Sequence, residues 1–339
     1  MGLQIGDIVP RKSLEFKDLK GKIVAVDAFN AIYQFLSSIR QPDGTPLMDD
    51  TGRTTSHLSG LFYRNISLMS EGIKLIYVFD GKSPELKNRT KEDRREKKAE
   101  ARAKYEEAKD EDDFEGMGRY GKQIGELDSE KIEESKELLE AMGVCVIQAL
   151  GEGEMQAAQL VKDGEAFAVA SQDYDALVVG GNRLIQNLTL SRKRRLPGGQ
   201  YVFISPELIE YGKTLQSLGI DSDQLISLAI LVGSDFNPKG VHGIGPKKAL
   251  SLVKEKKYPV EIFRELEEQG KLDFNWKDVF EIFKKPNVIK KEKIVFPKLN
   301  EEKIKEILVE RHDFSIDRVE KQLEKLHIIK GKNEQRTLF

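Results

Sequence analysis

At 339 residues, 39% hydrophobic and 33% charged, the chain can bury one large α/β core or two smaller ones. Its 55 Lys and Arg nearly cancel 57 Asp and Glu, leaving a net charge of −2; this excludes a whole-molecule basic field, so any nucleic-acid contact must be a local basic surface. Cys145 stands alone, which rules out an internal disulfide and suits a reducing, cytoplasmic setting; no apolar run approaches the ~18 residues of a membrane span, and no secretory leader is expected.

In chain order, short β-branched runs alternate with amphipathic stretches, which predicts a mostly parallel central sheet flanked by helices. Strands are expected at Ile23–Val26, Leu75–Phe79, Val144–Ile147, Ala166–Ala170 and Leu177–Val179. Helices are expected at Ala28–Ile39, Ser56–Glu71, Ser129–Met142 and Glu154–Lys162. Arg183–Leu190 and Tyr201–Ile204 read as a hairpin around a basic turn, Ser191–Gly199. Beyond about residue 220 the pattern is helical to about Leu326, and the last dozen residues read as an extended tail.

One connection is out of proportion. Between Phe79 and Ser129 the chain is polar and poor in large apolar residues. Lys82 to Lys104 holds ten Lys and Arg against five acids, and Tyr105 to Glu115 holds seven acids against one Lys. A solvated charged hairpin would look like this. So would a substrate gate, since long insertions at the carboxyl end of a strand are where such gates sit.

Acids cluster at the predicted strand ends. Asp27 and Asp80 close their apolar runs, Glu152 and Glu154 follow the third strand, Asp173 and Asp175 the fourth, and Asp235 follows an apolar helix. Each alone has a dull explanation, such as Asp27 capping a helix. In an open parallel sheet, however, ligands bind outside the carboxyl ends of the strands, so the acids should converge. Seven gathered carboxylates would repel and raise one another's pKa or demand cations. Oxygen ligands without His or Cys partners favour Mg²⁺ or Mn²⁺ over zinc, and two such ions about 3.5–4 Å apart can clamp a phosphodiester. His57, His242, His312 and His327 lie in unrelated contexts, so no nucleophilic pair competes. A second signal is Val241-His-Gly-Ile-Gly-Pro-Lys-Lys-Ala249. Gly243 and Gly245 permit close backbone approach, Pro246 suits a helix start, and Lys247 and Lys248 add charge, making a seat for a duplex phosphate.

Taken in order, these motifs resemble the flap endonuclease family of structure-specific 5′ nucleases, most of all its archaeal members. The likeness rests on Met1-Gly-Leu-Gln-Ile5, Val26-Asp-Ala-Phe-Asn-Ala-Ile-Tyr-Gln-Phe35, Thr54-Thr-Ser-His-Leu58, Tyr77-Val-Phe-Asp-Gly-Lys82, Gly151-Glu-Gly-Glu-Met-Gln-Ala157, Ser171-Gln-Asp-Tyr-Asp175, Val232-Gly-Ser-Asp235 and Gly243-Ile-Gly-Pro-Lys247. The resemblance implies a PIN-like 5′-nuclease fold with a helical arch (about 82–128) and a helix–two-turn–helix element. It implies an N-terminal nuclease region (1–98), an internal nuclease region (116–258), a C-terminal helical region (259–327) and a tail (328–339). Asp27, Asp80, Glu152, Glu154, Asp173, Asp175 and Asp235 match the family's metal ligands, for two Mg²⁺ with Mn²⁺ as substitute, and Lys87 and Arg94 match its basic catalytic pair. Gly2, Tyr33, Arg40, Arg64 and the glycine turn, where K⁺ can sit, match its DNA contacts. Thr55, Phe314 and Arg318 match a pocket for a single 3′ nucleotide. The basic turn Arg192, Lys193, Arg194 and Arg195 adds a phosphate contact on composition alone.

The implied activity is removal of 5′ flaps, with 5′–3′ exonuclease action, in DNA replication and repair by an archaeal cytoplasmic monomer. Gln335, Leu338 and Phe339 begin a sliding-clamp peptide, but the pattern is incomplete at Phe339. A sister-branch exonuclease or a junction or bubble nuclease is the alternative within the superfamily. A DNA- and clamp-binding scaffold with a decayed site is the alternative outside it, which the intact acid set disfavours.

Overall fold

The computed structural model describes residues 3–41, 43–82, 84–111, 113–190, 193–195 and 200–334. The chain opens with a short edge strand β1 (Lys12–Ser13) and then builds β2 (Ile23–Asp27), α1 (Ala28–Ser38), α2 (Ser56–Ser70) and β3 (Lys74–Phe79). The insertion follows as α3 (Asn88–Asp110) and α4 (Phe114–Gly121). Next come α5 (Ser129–Ala141), β4 (Cys145–Gln148), α6 (Gly153–Lys162), β5 (Ala168–Ala170), a single turn α7 (Asp175–Val178) and β6 (Arg183–Gln186). A separate ribbon of β7 (Lys193–Arg195) and β8 (Tyr201–Phe203) precedes β9 (Glu207–Glu210). The rest is helical: α8 (Tyr211–Leu218), α9 (Ser222–Val232), α10 (Pro246–Lys256), α11 (Pro259–Glu268), α12 (Trp276–Lys284), α13 (Glu301–Lys305) and α14 (Ile316–Glu334).

The main sheet has the order β1-β9-β6-β5-β2-β3-β4. The five strands from β6 to β4 run parallel, and β9 and β1 extend the sheet antiparallel. Strand alternation sorts the core into two layers. Ala25, Ile76, Val78 and Val169 face α6, α7 and α9, whereas Val24, Val26, Leu75, Tyr77 and Phe79 face α1, α2, α5 and α14. Burial on both faces explains why these strands are continuous apolar runs, and why the first polar residue after each run falls at the carboxyl edge.

Four expectations need correction. Leu177–Val179 is not a strand: it belongs to the turn α7, closed by Gly180 at φ +86°, because three apolar residues carry no periodicity that separates a strand from a buried helical turn. Arg183–Gln186 pairs with Glu207–Glu210, not with the 201–204 segment, which instead pairs with Lys193–Arg195. The helical region is interrupted over 285–300, where Pro286 and Pro297 disfavour helix and the chain runs irregularly. The last dozen residues do not all extend, since α14 continues to Glu334.

Candidate active site

Asp27 ends β2 and is also the N-cap of α1, its Oδ1 accepting from the Asn30 amide at 3.1 Å. Helix capping and site chemistry thus coexist in one side chain. Asp80 follows β3, and its Oδ1 accepts from the Gly153 amide at 2.7 Å. A Cβ at Gly153 would stand 2.9 Å from both that oxygen and the Val78 carbonyl, so glycine lets α6 begin against the end of β3. Glu152 precedes α6, and Glu154 in its first turn accepts from the Ala176 amide at 3.0 Å. Asp173 and Asp175 occupy the turn after β5, while Asp235 lies in the loop after α9. All seven acids line one cleft of about 570 Å³ at the carboxyl edge of the sheet.

The cleft is roofed by the insertion. Lys87, Thr90, Arg94, Arg95 and Lys98 line it, a three-to-four-residue spacing that turns one face of α3 toward the acids. The Lys87 ammonium pairs with Glu152 and stands 3.3 Å from Asp235 Oδ2. Thr90 Oγ1 donates to the Asp235 carbonyl at 2.6 Å, and Arg94 pairs with the Asp235 carboxylate. Burial alone would lower the Lys87 pKa, but Glu152 and Asp235 hold it above its ordinary range. Helix α4 returns from the arch tip. Its packing leaves Gly121 against Gly44 and Arg40, and a small core of Tyr105, Ala108 and Met117 joins the two arch helices.

Burial and mutual repulsion disturb the acids. Asp27 is pushed up to about 8 by burial and then by Asp80, and Asp175 to about 8 by burial and then by Asp235. Asp80, Glu154 and Asp173 are raised in the same way, with burial first in each case. Buried Glu152 Oε1 and Asp175 Oδ1 have no hydrogen-bond partner among the described residues. A concentration of hard oxygen donors, two of them unpartnered, fits divalent cations better than it fits an all-protein ion-pair network. Among the described residues, no three acid, His or Cys side chains converge tightly enough to chelate one ion in the present arrangement. Lys87 and Arg94 occupy part of the same space, and Mg²⁺ retains several waters rather than demanding a closed protein cage, so the open arrangement still suits divalent cations.

Other expected residues are placed as follows. Tyr33 lies at the cleft wall, 39% exposed, with Lys98 Nζ 5.0 Å from its ring centroid. Gly243 (φ +75°) and Gly245, the N-cap of α10 with Pro246 behind it, are exposed together with Lys247 and Lys248. Arg40 donates to the Gly44 carbonyl and Arg64 to that of Leu188, so each has an intramolecular partner. Thr55 is buried beside α2, Phe314 is half-buried and Arg318 is exposed near Tyr63 of α2. Gly2, Arg192, Gln335, Leu338 and Phe339, and the side chains of Lys193, Arg194 and Arg195, lie outside the described residues.

Sequence reasoning gave no role to two cleft residues, Asn30 and Thr90, or to Ser171 buried beside the cleft. Asn30 donates its amide Nδ2 to Asp173 Oδ2 at 3.4 Å while its Oδ1 accepts from the Gln172 amide, tying α1 to the turn after β5. Ser171 Oγ lies 3.4 Å from Asp27 Oδ2, and Thr90 links the arch to the Asp235 loop. Asn30 falls within the motif Val26–Phe35, one turn after Asp27, and that spacing was the signal available.

The parallel sheet, acid-lined cleft and helical roof define a nuclease of the XPG class. The XPG N-terminal domain profile matches residues 4–101 and the XPG I-region profile residues 143–235. Flap endonuclease 1 of Aeropyrum pernix is 49% identical over 96% of this chain and 94% of that protein. Flap endonuclease 1 of Pyrococcus furiosus is 48% identical over 100% and 98%. The solved flap endonuclease-1 of Methanococcus jannaschii superposes with a TM-score of 0.77 at 39% identity, over 98% of this chain and 100% of that one. The catalytic core of Rad2 with DNA substrate, 24% identical, shares the fold at a TM-score of 0.71 over 97% and 100%. The chain belongs to the flap endonuclease family, whose nucleases cut phosphodiester bonds and generally depend on divalent metal.

Proposed function

We propose that this flap endonuclease uses Mg²⁺ to incise branched DNA at the base of 5′ flaps, with accompanying 5′–3′ exonuclease action. The observation that carries the reading is the gathering of seven carboxylates in one cleft directly beneath an arch whose inner face is basic. Asp27, Asp80, Glu152, Glu154, Asp173, Asp175 and Asp235 would hold two Mg²⁺, in part through water, with Mn²⁺ as substitute. Bound, the ions would supply Lewis-acid charge and make water acidic enough to attack near neutral pH.

The chain's own groups do the rest. Lys87 and Arg94 offer donors to the non-bridging oxygens of the scissile phosphate, and the Tyr33 ring offers a stacking surface to the base beside it. The arch admits a single strand and excludes a duplex from the cleft. The exposed turn Gly243–Lys248 presents amides and two lysines to the duplex backbone, without reading sequence, and is the place for K⁺. Thr55, Phe314 and Arg318 receive an unpaired 3′ nucleotide, and Gly2, Arg40, Arg64 and the 192–195 turn contribute further backbone contacts. We place the enzyme as a monomer in the archaeal cytoplasm, in flap removal during replication and repair, held on the sliding clamp through Gln335, Leu338 and Phe339.

Single-turnover cleavage of an end-labelled double-flap DNA tests the reading, against blunt duplex and bubble controls, with and without Mg²⁺. Mg²⁺-dependent incision at the flap base, much faster than on either control, is expected. Activity confined to a duplex end or a bubble would move the chain to a sister branch.

A further inference from the structure

A second set of buried ionisable groups lies outside the cleft. The side chain of His312 is 1% exposed, between the π-helical segment Glu306–Glu310 and α14, and both ring nitrogens face carboxylates. Nδ1 is 2.9 Å from Asp49 Oδ2, and Nε2 is 2.9 Å from Glu134 Oε1. Ionised carboxylates only accept, so both nitrogens must carry hydrogen and the ring is an imidazolium. Burial would lower the His312 pKa, yet the bonds from Glu134 and Asp49 raise it; Asp49 is held down by bonds from Thr51 and His312.

The groups around this ring come from three segments distant in sequence. The tight hairpin 48–54 supplies Asp49 and Arg53. Helix α5 and its N-cap supply Asp128, Lys131 and Glu134, and α2 supplies His57. More bonds stitch the hairpin to the 311–313 turn. The Asp50 amide donates to Asp313 Oδ2 at 3.0 Å, and Arg53 donates to the Arg311 carbonyl. Asp313 holds φ +56°, a conformation that costs a non-glycine residue energy and persists where the surroundings enforce it. The residues leaving this knot are Thr55 on one side and Phe314 and Arg318 on the other.

We propose that His312 is a positioning residue for the 3′-nucleotide contact: its cationic ring, bridging Asp49 and Glu134, fixes Thr55 relative to Phe314 and Arg318, and so sets the preference for substrates carrying one unpaired 3′ nucleotide. The inference rests on the reading of those three residues given above.

The test compares two DNAs with the same 5′ flap and duplexes, one with and one without a single unpaired 3′ nucleotide. KM and kcat are measured across pH for the parent, His312→Gln, Glu134→Gln and Arg318→Ala. Each knot variant should lose most of the preference as a KM rise of about tenfold on the 3′-nucleotide DNA, roughly one charge-assisted hydrogen bond. KM without that nucleotide and kcat on both DNAs should stay near the parent. In the parent, the preference should decline as rising pH removes the ring proton, and His312→Gln should show no such step. Glu134→Gln, at the more exposed end, keeps the test open if His312→Gln folds poorly. Preference retained by both knot variants but lost in Arg318→Ala would overturn the proposal alone. No 3′-nucleotide preference in the parent would overturn the assignment of Thr55, Phe314 and Arg318, and the proposal with it.

Discussion

One guanidinium nitrogen of Arg94 donates to both carboxylate oxygens of Asp235, at 2.8 and 2.9 Å, joining the arch to the loop after α9. Lys87 makes the parallel link from the arch base to Glu152. Two basic side chains that could address a phosphate are thus held against the acids beneath them. Without DNA, each neutralises carboxylate charge; a scissile phosphate offers them a second anionic partner at the same place.

Lys87→Ala and Arg94→Ala should therefore slow the chemical step while leaving flap affinity within a few-fold. A loss of roughly 10²–10³ in single-turnover rate at saturating DNA is expected for each, the scale found when one preorganised donor is removed from a developing charge. Parent-like rates for both would remove the pair from the chemistry and leave it a purely structural latch.

The acids make two further predictions. Asp80→Ala or Asp173→Ala should nearly abolish cleavage while flap binding survives, because on the proposed reading binding draws on the arch and the glycine turn; retained turnover would end the two-metal reading. The metal-free protein should also lose stability as pH rises from about 4 to about 8. Asp27 and Asp175 have folded pKa values raised to about 8, against about 3.9 unfolded. Within that window the folded state binds more protons than the unfolded one, so stability falls with rising pH. Melting temperature in EDTA across this range should show the decline, and Mg²⁺ should flatten it. A flat profile in EDTA would mean that Lys87 and Arg94 already neutralise the cleft.

The acid placement was legible because apolar runs buried on both faces end at Asp27 and Asp80, each the first polar residue after its run and so set at the carboxyl edge of the sheet. Charge and the scarcity of large apolar side chains marked the stretch after Phe79 as an outsized insertion, hairpin or gate, and only the family resemblance implied a helical arch. What sequence could not resolve was pairing between distant segments. Strand 183–186 chose 207–210 over the nearer 201–204, and Leu177–Val179 became a helical turn because β6 already holds the position beside β5. Asn30, Ser171 and Thr90 look like ordinary polar residues until the sheet edge brings their partners within reach. The knot joins Asp49, Glu134 and His312 over separations of 178 and 263 residues, and no local pattern announces it.

Gly153 makes a steric prediction. With Asp80 Oδ1 and the Val78 carbonyl each 2.9 Å from any added Cβ, Gly153→Ala must move either backbone or a site carboxylate. The expected cost is about 1–3 kcal/mol of stability, with a larger loss of cleavage because Asp80 is displaced. Gly151→Ala is the control, since its Cβ would meet the Asn287 carbonyl at 3.3 Å and little else. Equal, mild effects at both positions would show that α6 can shift without disturbing Asp80.

His57 predicts acid sensitivity separate from that of the cleft. It is fully buried in α2, neither ring nitrogen has a partner among the described residues, and burial pushes its pKa down to about 4. Between about 6.5, its unfolded value, and about 4, the unfolded chain takes up a proton that the folded one refuses. Stability from this residue is therefore lost as pH falls through that window. The cleft acids act with the opposite sign over the same range, so the informative quantity is the difference between parent and variant in one buffer. His57→Leu removes the titrating group and two unpartnered polar atoms. It should leave the melting temperature near pH 7.5 unchanged or slightly higher, and the parent should lose stability relative to the variant as pH falls from 6.5 to 4. If the two curves stay parallel, the neighbouring Glu134 and Asp128 must admit a proton to His57 in the folded state, and the residue is not held neutral.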